Sequence, residues 1–170
     1  MNFTNNWDEA EILRRLADAG TSQLDRDLAF RVYTSQLIGR QPDLVMHGGG
    51  NTSCKSVTTD LHGNKIDVLC VKGSGWDLGT IEAPGLPAVR LDRLLELESL
   101  KALSEAEMVN IQRANLLDSA APNPSVETLL HAFLPHKFID DTHATPFLSL
   151  ANLPDAEAIM EEIFGCEMVY

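Results

Sequence analysis

The stretch HGGGNTSCK, from His47 to Lys55, holds three consecutive glycines between an apolar run and a string of small polar residues. Glycine loses much conformational entropy on folding, so three in a row are costly if they serve stability alone. Such a backbone adopts unusual torsion angles or lets another group approach the main chain closely. From spacing alone, two interpretations are equally favoured. One is a tight structural turn; the other is an anion cradle made by backbone N–H groups with the hydroxyls of Thr52 and Ser53.

The residues before this stretch show helical patterns. The first predicted helix is capped by Asn6 and ends at Gly20. The second opens at Ser22, with Asp25 three residues on, carries apolar residues at helical spacing, and ends at Gly39.

The pattern changes to strands around the glycines. The short apolar run Leu44–Met46 predicts a strand. Residues Asn51–Thr59 alternate loosely and are rich in Thr, Ser and Val, and Ile66–Val71 is an apolar run. The segment between them, DLHGNK, has turn chemistry, so the two runs predict a β-hairpin.

The rest of the chain mixes helices and strands. Helices are predicted over Leu91–Leu100 and Ser104–Leu117, and a third is predicted to be capped by Ser125 and ended by Pro135. Phe138 and Ile139 predict a short buried strand. Two short helices, starting at Thr145 and Pro154, and a final strand over Met168–Tyr170 complete the pattern. That last strand suggests that the chain is a piece of something longer. We therefore expect a single α/β domain over residues 1–170, with a mixed, largely antiparallel sheet covered by helices.

Composition excludes several classes of function. The 170 residues suit one domain, and the net charge of −12 argues against generic nucleic-acid binding and against anionic membrane surfaces. Cysteines at 54, 70 and 166 show no CxxC spacing, which indicates reduced thiols rather than disulfides or a cysteine zinc site. No signal peptide or long apolar span is visible, so a cytoplasmic location is expected.

Three titratable side chains are candidates for chemistry. Glu127 is predicted in the first turn of the helix after Ser125, where a negative charge is favoured with or without a catalytic role. His131 lies one turn later, and we expect it at the surface. His143 follows the strand at Phe138, a position from which a side chain can act as a ligand or a base.

Four motifs in order carry a resemblance to a known family. They are GGGNTS at 48–53, KGSG at 72–75, NPSVE at 123–127, and the pair Thr142–His143 after an apolar strand. Together they resemble the class II aldolase/adducin family. The likeness is closest to the aldolase region of bacterial rhamnulose-1-phosphate aldolase/alcohol dehydrogenase-type proteins, and it covers residues 25 to 170.

The resemblance implies a three-layer domain and assigns a role to each matching position. Glu127 matches the catalytic acid/base. His143 matches the second histidine of an H-x-H zinc pair whose first position is Asp141 here, and the third zinc ligand is expected from a later segment. The positions implied around the substrate phosphate are Gly50, Asn51, Thr52, Ser74, Gly75 and Ser125.

The activity implied is that of a zinc-dependent lyase that cleaves a ketose phosphate through a metal-stabilised enediolate. The zinc would be weak or lost in this chain, because Asp141 replaces a histidine. The expected partners are a small phosphosugar and further copies of the chain in a homo-oligomer. Two alternatives stay open: a sister phosphosugar epimerase, which shares the site chemistry, and a non-catalytic adducin-like binding or scaffold domain.

Overall fold

The computed structural model describes residues 4–165. Within them lie seven α-helices and four strands, joined by loops that contain three short 3-10 helices. The helices are α1 (Glu9–Asp18), α2 (Gln23–Gly39), α3 (Leu91–Leu95), α4 (Glu105–Ala114), α5 (Thr128–Phe133), α6 (Thr145–Ala151) and α7 (Ala156–Phe164). The strands are β1 (Asn51–Thr59), β2 (Lys65–Val71), β3 (Ala88–Arg90) and β4 (Phe138–Asp141).

The N-terminal helices begin at side-chain caps. Ser22 and Asp25 form the reciprocal capping box that opens α2, as the sequence predicts. The predicted cap of α1 at Asn6 is wrong, because Asp8 holds that position and accepts a hydrogen bond from the backbone N–H of Glu11. A carboxylate at this end also faces the positive end of the helix dipole.

The four strands form one sheet in the order β3-β2-β1-β4, and every neighbouring pair is antiparallel. The hairpin of β1 and β2 is confirmed, with Cys54 opposite Cys70 in its register. Strand β4 pairs with the start of β1, so that Asn51 lies directly opposite Asp141. The α/β class is therefore confirmed, with a described sheet that is wholly antiparallel.

The predicted strand at Leu44–Met46 is wrong. The backbone N–H groups of Leu44 and Val45 both bond to the carbonyl of Gln41, which closes turns directly after α2. Val45 is buried, so the apolar character of this run reflects packing of a loop rather than membership of the sheet.

The core lies on both faces of the sheet. On one face, side chains of β1 and β2 pack with α2 and the loop after β2 around Val32, Cys54, Val68, Leu78 and Ile81. On the other face, β2 and β3 pack with α3 and α5 around Leu69, Val71, Val89, Leu94 and Ala132. The helices thus cover the sheet from both sides, which gives three layers.

The elements after β3 differ from the prediction at the cap of α5 and in the length of α3. Glu127, not Ser125, occupies the N-cap position of α5, and no side chain caps that helix. The predicted helix over Leu91–Leu100 is a short α3 followed by a 3-10 turn. The strand predicted at Met168–Tyr170 lies outside the described residues. No helix within residues 4–165 has both the length and the apolar character needed to cross a bilayer.

Candidate active site

Strand β1 divides its polar side chains between two faces. Thr52 faces α2, where its hydroxyl lies 2.8 Å from that of Ser35. Asn51 and Ser53 face the opposite side, towards the segment that leads into α5. The alternation follows from the two-residue period of a strand. It places the candidate site at the start of β1, on the α5 side of the sheet.

Asn51 is the centre of a hydrogen-bonded cluster. Its Nδ2 donates to Oε2 of Glu127 at 2.6 Å and also to the hydroxyl of Ser125. Its Oδ1 accepts from the backbone N–H of Thr52 at 2.8 Å. The Asn51 side chain is fully buried. Three of the predicted site residues, Asn51, Ser125 and Glu127, therefore lie in direct contact.

The electrostatic surroundings favour an ionised Glu127. Partial burial alone would raise its pKa. The hydrogen bonds from Asn51 and Ser125, together with the ammonium of Lys72, outweigh that effect and hold the pKa of Glu127 below its ordinary value. Glu127 is consequently a carboxylate at neutral pH, the form that can accept a proton.

Lys72 lies in the same site, directly after β2. It is buried, and its Nζ donates to the backbone carbonyl of Gly48 at 3.0 Å. Burial lowers the pKa of Lys72, while the carboxylates of Glu127, Asp77 and Asp141 act in the opposite direction. This cation ties the glycine loop to the end of β2.

The glycine loop packs against the end of β4. A Cβ on Gly49 would lie 2.8 Å from the carbonyl oxygen of Met46 and 3.3 Å from Nδ1 of His143. Gly50 has a φ of +69°, and a Cβ there would lie 2.9 Å from the carbonyl oxygen of Asp141. Gly50 is thus needed for close approach to the strand end that carries the predicted metal ligands, whereas Gly49 is restricted mainly by the Met46 carbonyl within the loop.

The turn containing Ser74 and Gly75 lies beside this loop. Residues on either side of it contact Gly48, which donates from its backbone N–H to Asp77 at 3.2 Å and accepts from Lys72. The backbone N–H of Ser74 donates to the carbonyl of Asn123, close to the segment of Ser125. Both predicted phosphate-binding segments therefore border the same part of the molecule. The phosphate roles themselves stay predictions.

Thr52 is predicted to bind the phosphate, but its side chain lies apart from the cluster around Asn51. Its hydroxyl is buried against Ser35, on the α2 face of the sheet. Its backbone bonds to Asn51 and to Lys72, so Thr52 contacts the site through its main chain.

Asp141 and His143 lie together after β4. The His143 Nε2 is 3.7 Å from the Asp141 Oδ2, and both side chains are accessible to solvent. Arg31, buried under β4, forms an ion pair with the neighbouring Asp140 at 2.6 Å and fixes this end of the strand. Among residues 4–165, no group of three or more His, Cys, Asp and Glu side chains could hold a metal ion.

His131 is not at the surface, and that prediction is wrong. Its side chain is completely buried, and its Nδ1 lies 2.8 Å from the hydroxyl of Ser53. Burial lowers the pKa of His131. The position of His131 one turn after Glu127 does not reveal this burial, which arises because the imidazole fills the space between α5 and β1.

The sequence interpretation missed Lys72 as a site residue. A signal was present, since this lysine follows an apolar strand directly and precedes the GSG turn. A lysine at the end of a buried strand is placed where its ammonium is partly desolvated and close to whatever the following loop binds.

Comparisons with known proteins agree with this architecture. The family model described as "Class II Aldolase and Adducin N-terminal domain" matches residues 31–168. A protein of Bacillus subtilis (strain 168) named "Uncharacterized oxidoreductase YuxG" is 39% identical over 149 residues, which are 88% of this chain and 22% of that protein. The chain therefore spans about a fifth of this relative's length.

A solved structure gives a similar result. The N-terminal class II aldolase domain of a conserved protein from Thermoplasma acidophilum superimposes with a TM-score of 0.80 and 38% sequence identity. The match covers 96% of this chain and 71% of that one.

Proposed function

Because the chain belongs to the class II aldolase/adducin family, we propose that it is the aldolase-type domain of a metal-dependent lyase that acts on a ketose phosphate. The observation that carries this proposal is the contact of Glu127 with Asn51 and Ser125, beside the glycine loop and the Asp141–His143 end of β4. The proposal includes a homo-oligomer that works in the cytoplasm.

Glu127 is the proposed acid/base. As a carboxylate with a lowered pKa, it can accept a proton from the substrate and return it to the product. Asn51 and Ser125 restrict the carboxylate to one orientation, so the proton transfer would occur at a defined atom of the substrate.

The phosphate is proposed to bind between the glycine loop and the Ser74–Gly75 turn. Backbone N–H groups in such loops bind anions without a formal positive charge. This suits a chain of net charge −12, in which an anionic substrate needs a site built from backbone dipoles or a local cation such as Lys72. Phosphate contacts away from the reacting carbons supply positioning energy.

A divalent metal, zinc by family resemblance, is part of the proposal. Asp141 and His143 offer a carboxylate and an imidazole, both of which bind zinc. A catalytic zinc usually has three protein ligands, and these two residues leave that set incomplete. When bound, such a metal acts as a Lewis acid towards developing negative charge.

The test is an assay of ketose phosphate cleavage on the purified protein, with zinc added or removed by a chelator. E127Q should lower kcat by roughly 10²- to 10⁴-fold, as expected for the loss of a general acid/base. E105Q, which changes an exposed residue in the first turn of α4, should leave kcat unchanged. If no ketose phosphate is cleaved even with zinc in excess, the adducin-like binding domain is the better interpretation. Inversion of a phosphosugar without cleavage products would favour the epimerase.

A further inference from the structure

The carboxylate of Asp77 joins two segments that lie apart in the sequence. Its Oδ2 accepts a hydrogen bond from the backbone N–H of Gly48 at 3.2 Å, across 29 positions, and its Oδ1 accepts from the backbone N–H of Gly79 at 2.8 Å. Gly48 is the first glycine of the loop before β1, whereas Asp77 lies two residues after the Ser74–Gly75 turn. One side chain therefore connects the two segments that are proposed to bind the phosphate.

Asp77 stands on a firmly packed part of the fold. It caps the 3-10 helix Leu78–Thr80, and the Leu78 side chain is buried in the core. Gly39, at the end of α2, lies so close to the backbone of this helix that a Cβ at position 39 would overlap it. The glycine loop, by contrast, is exposed at Gly48. The two hydrogen bonds of the carboxylate therefore tie an exposed backbone to a packed one.

Lys72 holds the same glycine by its carbonyl group. Its Nζ donates to the Gly48 carbonyl at 3.0 Å, while Asp77 accepts from the Gly48 N–H. Lys72 and Asp77 lie on either side of the Ser74–Gly75 turn in the sequence. Because both ends of the turn are bonded to one residue of the loop, the separation between loop and turn is restricted from two directions.

Charge alone does not explain a carboxylate at this place. The adjoining site is proposed to bind a phosphate, and two negative charges repel each other. A carboxylate can, however, accept two backbone N–H groups at once, and hydrogen bonds to an ionised acceptor are stronger than those between neutral groups. The contacts of Asp77 thus agree with a role in holding the backbone, and the nearby ammonium of Lys72 offsets the repulsion.

We propose that Asp77 is a positioning residue of the phosphate site: its carboxylate fastens the glycine loop to the Ser74–Gly75 turn and keeps the backbone N–H groups of the two segments at one separation. This inference rests on the proposed phosphate site. A ligand that meets two segments already held in place does not have to order them when it binds, so its free energy of binding is more favourable.

The experiment is a calorimetric titration with inorganic phosphate, for wild type, D77A, D77N and D60A. If Asp77 acted only through its charge, D77A and D77N would both bind phosphate more tightly than wild type. The proposal predicts the opposite sign. D77A should bind phosphate about tenfold more weakly, because the ligand must then order a loop that is no longer held. D77N keeps one acceptor oxygen, so its affinity should lie between those of wild type and D77A.

D60A is the matched control. Oδ1 of Asp60 also accepts from two backbone N–H groups, those of His62 and Asn64, both at 2.8 Å, but in the turn between β1 and β2. This variant loses the same charge and the same kind of hydrogen bond, so it should bind phosphate as wild type does. A loss of affinity in D60A equal to that in D77A would overturn the proposal, since the effect would then not depend on the loop that Asp77 holds.

Amide hydrogen exchange separates this inference from the proposed function. In D77A the Gly48 amide should exchange roughly tenfold faster than in wild type, as expected when a hydrogen bond to a charged group is lost. A wild-type protein that binds no phosphate would count against the proposed phosphate site. Exchange at Gly48 would then decide whether Asp77 holds the loop.

Two results in D77A would overturn the proposal: unchanged exchange at Gly48, or phosphate binding as tight as in wild type or tighter. Should D77A fail to fold, D77N decides by the same measurements. Weaker phosphate binding in D77N than in wild type would support the proposal, and equal or tighter binding would contradict it.

Discussion

The amide of Asn51 and the carboxylate of Glu127 meet at 2.6 Å although 76 positions separate them in the sequence. Asn51 is the first residue of β1, and Glu127 is the N-cap residue of α5, the helix that the Asn51 side chain faces. This contact joins the glycine loop to the acid/base candidate. A substitution in the loop should therefore affect Glu127, and a substitution of Glu127 should affect the loop.

The close packing of Gly50 predicts that replacing it by alanine lowers the free energy of unfolding strongly. Its Cβ would lie 2.5 Å from a Val45 methyl carbon, in a backbone conformation with φ of +69°. Gly63 is the matched control, since its φ is +83° but a Cβ there would meet open space. In G63A, the strain of an alanine with a positive φ should lower the free energy of unfolding by about 1–2 kcal/mol. G50A should cost on the order of 3 kcal/mol or more, because overlap is added. Urea unfolding of both variants measures the difference, and equal losses would contradict the packing argument.

Substitutions at the end of β4 should change zinc affinity in opposite directions. D141H should tighten zinc binding, because it restores an imidazole pair at positions 141 and 143, whereas H143A should weaken it. H62A, at the tip of the hairpin between β1 and β2, is the control and should bind zinc as wild type does. Calorimetric titration with zinc compares the four proteins. Equal affinities throughout would mean that residues 141 and 143 are not a metal site.

The lowered pKa of Glu127 predicts a pH-dependent contribution to stability. A carboxyl whose pKa is lower in the folded state stabilises the protein above its unfolded pKa, near 4.5, and loses that contribution as the pH falls through its folded value. E127Q should therefore be less stable than wild type at neutral pH, and the difference should shrink below pH 4.5. The effect should be modest, because Glu127 is partly exposed and solvent screens its interactions.

Urea unfolding of wild type and E127Q across this range measures the difference. Other carboxyls with lowered pKa values, such as Glu11 and Glu107, are common to both proteins and cancel in the comparison. A stability difference that stays constant with pH would show that the ionisation of Glu127 does not contribute to folding.

The buried position of His131 predicts a structural role for its imidazole. H131A would leave a cavity between α5 and β1 and would remove the partner of the Ser53 hydroxyl, at a cost of about 2–4 kcal/mol. H136A, at an exposed position, should change the free energy of unfolding by less than about 0.5 kcal/mol. Similar values for the two variants would be inconsistent with the burial seen here.

The sequence by itself determined the elements that depend on near neighbours. The capping box of Ser22 and Asp25 spans three residues, and the hairpin of β1 and β2 follows from two apolar runs around a turn. The place of Glu127 at a helix start also follows from residues next to it. Such features are readable because each is stabilised by groups within a few positions of one another.

Tertiary structure alone decided which side chains meet. The burial of His131, the direction of the Thr52 hydroxyl and the loop conformation of Leu44–Met46 each depend on a neighbour supplied by another part of the fold. The contacts of Asn51 and Ser53 in the site join residues 74 to 78 positions apart. The physical reason is that a local pattern records which face of an element is polar, whereas the packing of three layers determines what lies opposite that face.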